Sequence, residues 1–185
     1  MPAWDIDLVR QAWELATAAH DGQKYGGREQ DQQIEYLNHI GAVCLEVMQA
    51  LAHHPEANAD LAIACAILHD TVEDSPVELK QIEARFGPAI ARAVAALTKN
   101  ENIPGKTEKM LDSLERIKAQ PHEVWMVKMA DRIVNLTAPP YYWDHNKIAS
   151  YRREAQLIYD HLHPASEALA ARFRAKIEAY GDYLS

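Results

Sequence analysis

Four residues in one six-residue run, His69-Asp70-Thr71-Val72-Glu73-Asp74, are of the types that bind metals and move protons. On a helix His69 and Glu73 lie four apart, as do Asp70 and Asp74. At about 100° per residue the four side chains cover one broad face. The residues before them, Leu61 to Leu68, are almost all small or apolar. A helix of that composition is buried, and it delivers three carboxylates and an imidazole at its end. Gathering such groups there is costly unless a cation neutralises them. Taken alone, an acidic run of this kind is more often a solvated helix end. The buried helix behind it and further donors elsewhere favour a metal site.

Those donors are His39, at the start of an amphipathic helix, and Asp131, on the apolar stretch Val127-Lys128-Met129-Ala130 with Arg132 after it. A histidine like His39 is commonly a surface or satisfied residue. Asp131 on an apolar stretch needs a partner, either an arginine or a metal. His39, His69, Asp70 and Asp131 together make two imidazoles and two carboxylates. Mixed nitrogen and oxygen donors with positions left for water suit Mn²⁺, Fe²⁺ or Mg²⁺ better than a closed structural Zn²⁺ site.

The elements that must bring these residues together read as helices. Val9, Trp13, Ala16 and His20 share a helical face. Gly22 to Glu35, with three glycines and many Gln and Asp residues, reads as a surface loop. Apolar spacing returns from Leu37 to Leu51, and a buried helix covers about Asp60 to Asp70. Ser75-Pro76 marks a break and a helix start. Short helices over Val77–Phe86 and Ala89–Thr98 flank Gly87-Pro88. Further helices are expected over Lys106–Ala119, from Pro121 through Leu136, over Lys147–His161 and over Pro164–Tyr180. Ala138 to Trp143 is an aromatic loop that Pro139 and Pro140 keep from being helical. The expectation is an all-α fold, a compact helical bundle forming one domain over residues 1–185.

Tyr36-Leu37-Asn38-His39, the run His69 to Asp74, Leu114-Glu115-Arg116-Ile117-Lys118 and Val127 to Asn135 occur in the order found in the hydrolase domain of the RelA/SpoT superfamily, and over most of its length the chain resembles that domain. The family is part of the wider HD phosphohydrolases. A bare His-Asp pair is a weak motif; the full six-residue run with a later Ala130-Asp131-Arg132 and Asn135 is specific. The resemblance implies a stand-alone alarmone hydrolase of the HD phosphohydrolase type. It implies one Mn²⁺ on His39, His69, Asp70 and Asp131, with Fe²⁺ or Mg²⁺ less favoured. It also implies removal of the 3′-pyrophosphate of (p)ppGpp, giving GDP or GTP. Glu73 and Asp74 match the catalytic acidic pair, whose division of roles stays open. Asn135, Lys147 and Tyr151 match substrate-contacting positions, and His20 a recurrent histidine with a structural role.

One departure concerns the base. Where family members carry an Arg-Lys pair, this chain has Tyr25 and Gly26, with Lys24 and Arg28 nearby. Tyr25 can stack on a purine in place of arginine, so Lys24 and Tyr25 join the substrate-binding candidates, and (p)ppApp is a candidate substrate beside (p)ppGpp. The alternatives are a broader HD-type nucleotide phosphatase and a non-catalytic alarmone sensor.

Composition bounds the partners. A net charge of -8 in 185 residues argues against general nucleic-acid binding. The longest apolar run, Leu61 to Leu68, is too short to span a bilayer. Cys44 and Cys65 sit in apolar helical patterns and read as reduced core thiols. The expectation is a cytoplasmic protein, monomer or homodimer, acting on a small nucleotide, with no nucleic-acid or membrane partner.

Overall fold

A computed structural model describes residues 2–27, 29 and 31–184 and is mainly helical. The first helix, α1 (Ile6–Ala19), starts where the Asp5 carboxylate accepts from the backbone N–H groups of Asp7 and Leu8. Ala12 and Ala16 form its buried face. Trp13, expected on the apolar stripe, is 39% exposed. Its ring instead lies at the edge of the next helix, where a side chain at Gly41 would stand 3.6 Å from it.

Between them the expected loop contains a small antiparallel hairpin, β1 (Lys24–Gly26) with β2 (Gln33–Glu35). Tyr25 pairs with Ile34, two good strand formers, and Lys24 pairs with Glu35 as an ion pair at 2.9 Å. Three residues per strand give too little alternation to stand out in a Gln- and Gly-rich segment. Gly22, at φ 71°, supplies the left-handed turn that leads into the hairpin.

The helices α2 (Leu37–Leu51) and α3 (Ala59–Leu68) follow. The Asn58 side chain caps α3 by accepting from Leu61 N–H at 3.0 Å. Every residue of α3 except Asp60 is buried. A helix that is apolar all round must be wrapped, and α3 packs against α1, α2, α5 (Leu79–Leu97) and α7 (His122–Asn135). It ends at Leu68, two residues earlier than expected. His69 caps it, and a single further turn, α4 (Thr71–Asp74), begins after Asp70. The Asp74 N–H donates to the Asp70 carbonyl at 2.9 Å, which closes that turn.

Leu68 is fully buried where this central helix meets the acidic run. Leu68→Ala should destabilise the fold by about 2–5 kcal/mol through lost burial and a residual cavity. The check is a lower urea midpoint at unchanged slope.

The helix α5 starts at Leu79 with a capping box between Glu78 and Gln81, not at Val77, and Gly87 at φ 82° kinks it before Pro88. The two expected helices are thus two arms of one bent element. Next come α6 (Lys106–Lys118), α7, α8 (His145–Leu162) and α9 (Glu167–Ala179), with a 3₁₀ turn at each end of α9. The Ser166 hydroxyl caps α9 and also meets His54 Nε2 at 3.0 Å, while His54 Nδ1 meets Glu56 at 3.2 Å. This Ser-His-Glu line is a structural tie, because Ser166 is 1% exposed and its oxygen serves the helix start. Among the described residues no helix is long and apolar enough to cross a membrane.

Candidate functional site

The end of α3 and the start of α2 carry His69 and His39 face to face, with Nε2 atoms 3.3 Å apart. Both rings are buried. The His69 Nδ1–H donates to the Ala66 carbonyl at 2.9 Å. A carbonyl only accepts, so this bond keeps the proton on Nδ1 and turns Nε2 to the cluster, free to bind a metal once its own proton leaves. Asp70 Oδ2 lies 3.0 Å from His69 Nε2 and 3.6 Å from His39 Nε2.

Neighbouring donors about 3 Å apart are what a cation with bonds of about 2.1 Å requires. The donor atoms of His39, His69 and Asp70 lie within 4.8 Å of one another, so these three residues are compatible with a divalent metal ion. Asp131, on α7, places Oδ1 3.6 Å from His39 Nε2 but stands outside that tight trio. Its carboxylate is held by Lys128 Nζ at 2.9 Å and by Asn135 Nδ2 at 2.7 Å. The partner of Asp131 within the protein is therefore a lysine, one helical turn back. Arg132 lies instead over the Tyr151 ring, with Nη2 3.7 Å from Glu154 on α8.

The charges explain why the cluster calls for a cation. Burial opposes the charge of Asp131, but Lys128 and His69 outweigh it and bring its carboxyl to about 2. Burial likewise opposes the charge of Asp70, and His69 and His39 hold it well below the usual carboxylate range. Burial pulls the His69 imidazole down, yet Asp70 and Asp131 more than reverse this and push it up to about 9. Two ionised carboxylates thus share the pocket with the His69 imidazole, which holds a proton when no other cation serves. A metal must displace that proton. Metal affinity is therefore expected to rise with pH by up to about tenfold per unit until near pH 9, and titrations with Mg²⁺ or Mn²⁺ at several pH values would read it.

Tyr36 closes the cluster from the hairpin side. Its hydroxyl donates to Asp70 Oδ2 at 2.6 Å. Burial and the neighbouring Asp70 charge push the phenol far above its ordinary value, so it stays a donor. His20 packs on Tyr36, with ring centroids 4.9 Å apart, and its Nδ1 meets Gln23 Oε1 at 2.7 Å. It touches the site through Tyr36, as a structural residue does.

The two acidic residues of α4 differ. The Glu73 carboxylate accepts from the Lys99 backbone N–H at 3.0 Å and pairs with the Lys99 ammonium. Asp74 is exposed at the rim of the site. Desolvation, with Asp70 and Glu73 adding to it, raises its carboxyl above the ordinary value, against a smaller opposing effect of the nearby Tyr36 and Gln23.

A cavity of about 370 Å³ opens over these groups. His69, Asp70, Glu73, Asp74, Asp131 and Asn135 border it, as do Lys147 and Tyr151 of α8. Six basic side chains line it: Lys99, Lys106, Lys109, Lys128, Arg132 and Lys147. Five carboxylates line it too, and Lys99, Lys106 and Lys128 pair with Glu73, Glu154 and Asp131, so the wall combines both signs with the basic groups in slight excess. A second cavity of about 500 Å³ adjoins it across Tyr36, Asn135, Trp143 and Tyr151, and is lined by Tyr25, Gly26, Asn38, Pro139, Pro140 and Tyr142. The Tyr25 hydroxyl accepts from Asn38 Nδ2 at 3.0 Å. Lys24 does not join either lining; it is spent on Glu35 across the hairpin. Arg28 lies outside the described residues.

Several site residues carried no sequence signal strong enough to single them out. Lys106 and Lys109, spaced by three on α6, share a helical face, which was a usable clue. Lys99 follows the end of α5 and could be recognised only through its contact with Glu73. In the aromatic loop, Tyr141 and Tyr142 are exposed at 63% and 69%, while Trp143 turns inward to border both cavities.

A family model described as the HD domain matches residues 12–167. The chain is 27% identical over 172 residues to guanosine-3′,5′-bis(diphosphate) 3′-pyrophosphohydrolase MESH1 of Danio rerio, covering 90% of this chain and 91% of that protein. It is 26% identical over 142 residues to the bifunctional (p)ppGpp synthase/hydrolase SpoT of Escherichia coli (strain K12), covering 74% of this chain and 18% of that protein. Among solved structures it matches, at a TM-score of 0.79 and 21% identity over 99% of both chains, one described as a metazoan ortholog of SpoT that hydrolyzes ppGpp. At that identity the structural likeness speaks for the fold. The family match spans both histidines, the acidic run and Asp131, and on that ground the chain belongs to the HD-domain family, within which it is similar to RelA/SpoT-type hydrolases.

Proposed function

We propose that this protein is a metal-dependent pyrophosphohydrolase that removes the 3′-pyrophosphate from (p)ppGpp-type alarmones, (p)ppApp included, leaving the nucleoside 5′-di- or triphosphate. The observation that carries this reading is one cavity bordered by His69, Asp70, Asp131, the Glu73-Asp74 pair and six basic side chains, with His39 Nε2 3.3 Å from His69 Nε2 on the side of the second cavity. The pyrophosphohydrolase relatives support the same chemistry.

His39, His69, Asp70 and Asp131 would hold one divalent ion, for which Mn²⁺ suits the nitrogen and oxygen donors. When bound, such an ion acidifies water and neutralises charge on a phosphoryl oxygen. Asp74 then takes the proton of the attacking water, since its raised carboxyl accepts protons closer to neutral pH than an ordinary aspartate. Glu73 anchors Lys99, which directs its ammonium to the polyphosphate. Tyr36 fixes the orientation of Asp70. Lys147, packed over the Trp143 ring at 5.2 Å, keeps its charge at the wall between the two cavities.

The second cavity takes the nucleoside. Tyr25 offers a ring for the purine, and Asn135 and Tyr151 face both cavities, as groups contacting the ribose must. Stacking on a tyrosine does not distinguish guanine from adenine, hence the inclusion of (p)ppApp. We further propose that residues 1–185 act as one domain in the cytoplasm, with no membrane or nucleic-acid partner.

Product analysis tests the reading. Metal-loaded protein should release pyrophosphate from ppGpp or ppApp, and chelator should stop it. Orthophosphate as the only product would instead identify a nucleotide phosphatase. Tight binding of unchanged ppGpp with metal present would identify a sensor.

A further inference from the structure

Arg132 follows Asp131 on α7 and borders the main cavity with a side chain only 8% exposed. A guanidinium carries five N–H donors and stays charged at physiological pH. Buried arginines normally spend those donors on carboxylates or carbonyls. Arg116 does so: Nε donates to Asp112 at 2.8 Å and Nη1 to the carbonyls of Ala95 and Ala96, leaving one nitrogen, Nη2, unpartnered. Arg132 is different. Among the described residues its Nε and Nη1 are buried without any hydrogen-bond partner. Its Nη2 stands 3.7 Å from Glu154 Oε2, beyond hydrogen-bond length, and the other Glu154 oxygen is taken by Lys106.

The guanidinium lies instead on Tyr151, with Cζ 4.2 Å from the ring centroid. That contact covers a face and leaves the N–H edges unserved. Both forks, Nε with Nη2 and Nη1 with Nη2, therefore lack a two-oxygen partner. Unpaired buried donors on a permanent charge are costly, and the group sits at the wall of a cation-lined cavity.

We infer that Arg132 is a specificity-determining residue that takes a substrate phosphate through one of these forks, turning off the Tyr151 ring into the cavity it borders. The inference rests on the polyphosphate reading of that cavity given above. A phosphate presents two oxygens at the spacing of a guanidinium fork, whereas a lysine offers only a point charge.

Pyrophosphate binding measured by calorimetry in Mg²⁺ buffer, together with steady-state kinetics on ppGpp, tests this. Arg132→Lys keeps the charge and loses the fork. It should weaken pyrophosphate binding by about tenfold or more and raise KM to a similar extent, with a smaller change in kcat. Arg153→Lys, on the exposed side of α8, is the control and should change neither. In the wild-type protein, pyrophosphate should also shift the Arg132 Nε–H resonance in ¹⁵N spectra, a readout that needs no variant to fold. Unchanged pyrophosphate affinity in Arg132→Lys, or an unmoved resonance, overturns the assignment. If wild-type protein turns over ppGpp while these controls fail, only the role of Arg132 falls. If it binds pyrophosphate through Arg132 but releases none from ppGpp or ppApp, the proposed reaction falls and the anion contact stands.

Discussion

Asp74→Asn is expected to lower kcat by about 10²- to 10⁴-fold, the usual contribution of a positioned general base, while leaving metal content unchanged. The substitution keeps the shape of the side chain and removes its ability to accept a proton. Asp74 is chosen over Glu73 for a structural reason. Glu73 spends both oxygens on Lys99, one on its backbone N–H and one on its ammonium, which leaves neither oriented toward a water over the cluster. Asp74 is exposed at the rim beside Asp70 and Glu73, both its oxygens free of any lysine among the described residues, and partial desolvation followed by the Asp70 charge raises its carboxyl. Glu73→Gln should therefore act mainly through the freed Lys99, raising KM more than it lowers kcat.

The pH profile separates these roles. A base must be ionised to act, so activity falls as pH drops through the Asp74 value, which lies above the ordinary 3.8. In Asp74→Asn the residual activity should lose that acidic limb. Metal content and kcat/KM between pH 4 and 9 are the measurements. Full kcat in Asp74→Asn would rule it out as the base.

How far the sequence led depends on the kind of feature. The buried helix from Leu61 to Leu68 was legible because every position is small or apolar, and the acidic run at its end was legible because such groups conflict with such a helix. The kink at Gly87-Pro88 was legible from the two residues that cause it. The hairpin was not, since three residues per strand carry almost no period. Nor was the division of labour between Glu73 and Asp74, because it depends on Lys99, 26 residues away in the chain. The same holds for Lys24. It was a substrate-binding candidate beside the altered base-recognition positions, but the register of the hairpin sets it opposite Glu35. Residue type showed which groups could do chemistry, while long-range pairing decides which are free to do it.

Removing the metal should cost both activity and stability. The cluster brings Asp70 and Asp131 together, both ionised and both close to His39. With chelator, a proton on His69 is the available counter-charge, and the second carboxylate leans on Lys128 and Asn135. A cation bound at about 1,000 times its Kd adds about 4 kcal/mol to folding stability. For a chain of this length about 2–4 °C accompanies each kcal/mol, so saturating Mn²⁺ should raise Tm by about 8–16 °C over the chelated protein. His69→Ala deletes a donor that two other residues face, and its Tm should no longer respond to the ion. His69 reaches the cluster from the end of α3, whose burial does not depend on the metal, so the variant should still melt cooperatively. Scanning melts of both proteins with Mn²⁺ and with chelator, beside turnover of ppGpp, make the comparison. A wild-type Tm indifferent to Mn²⁺, with turnover that survives chelation, would show that these imidazoles and carboxylates hold no metal and that the reaction proceeds on the carboxylates and lysines alone.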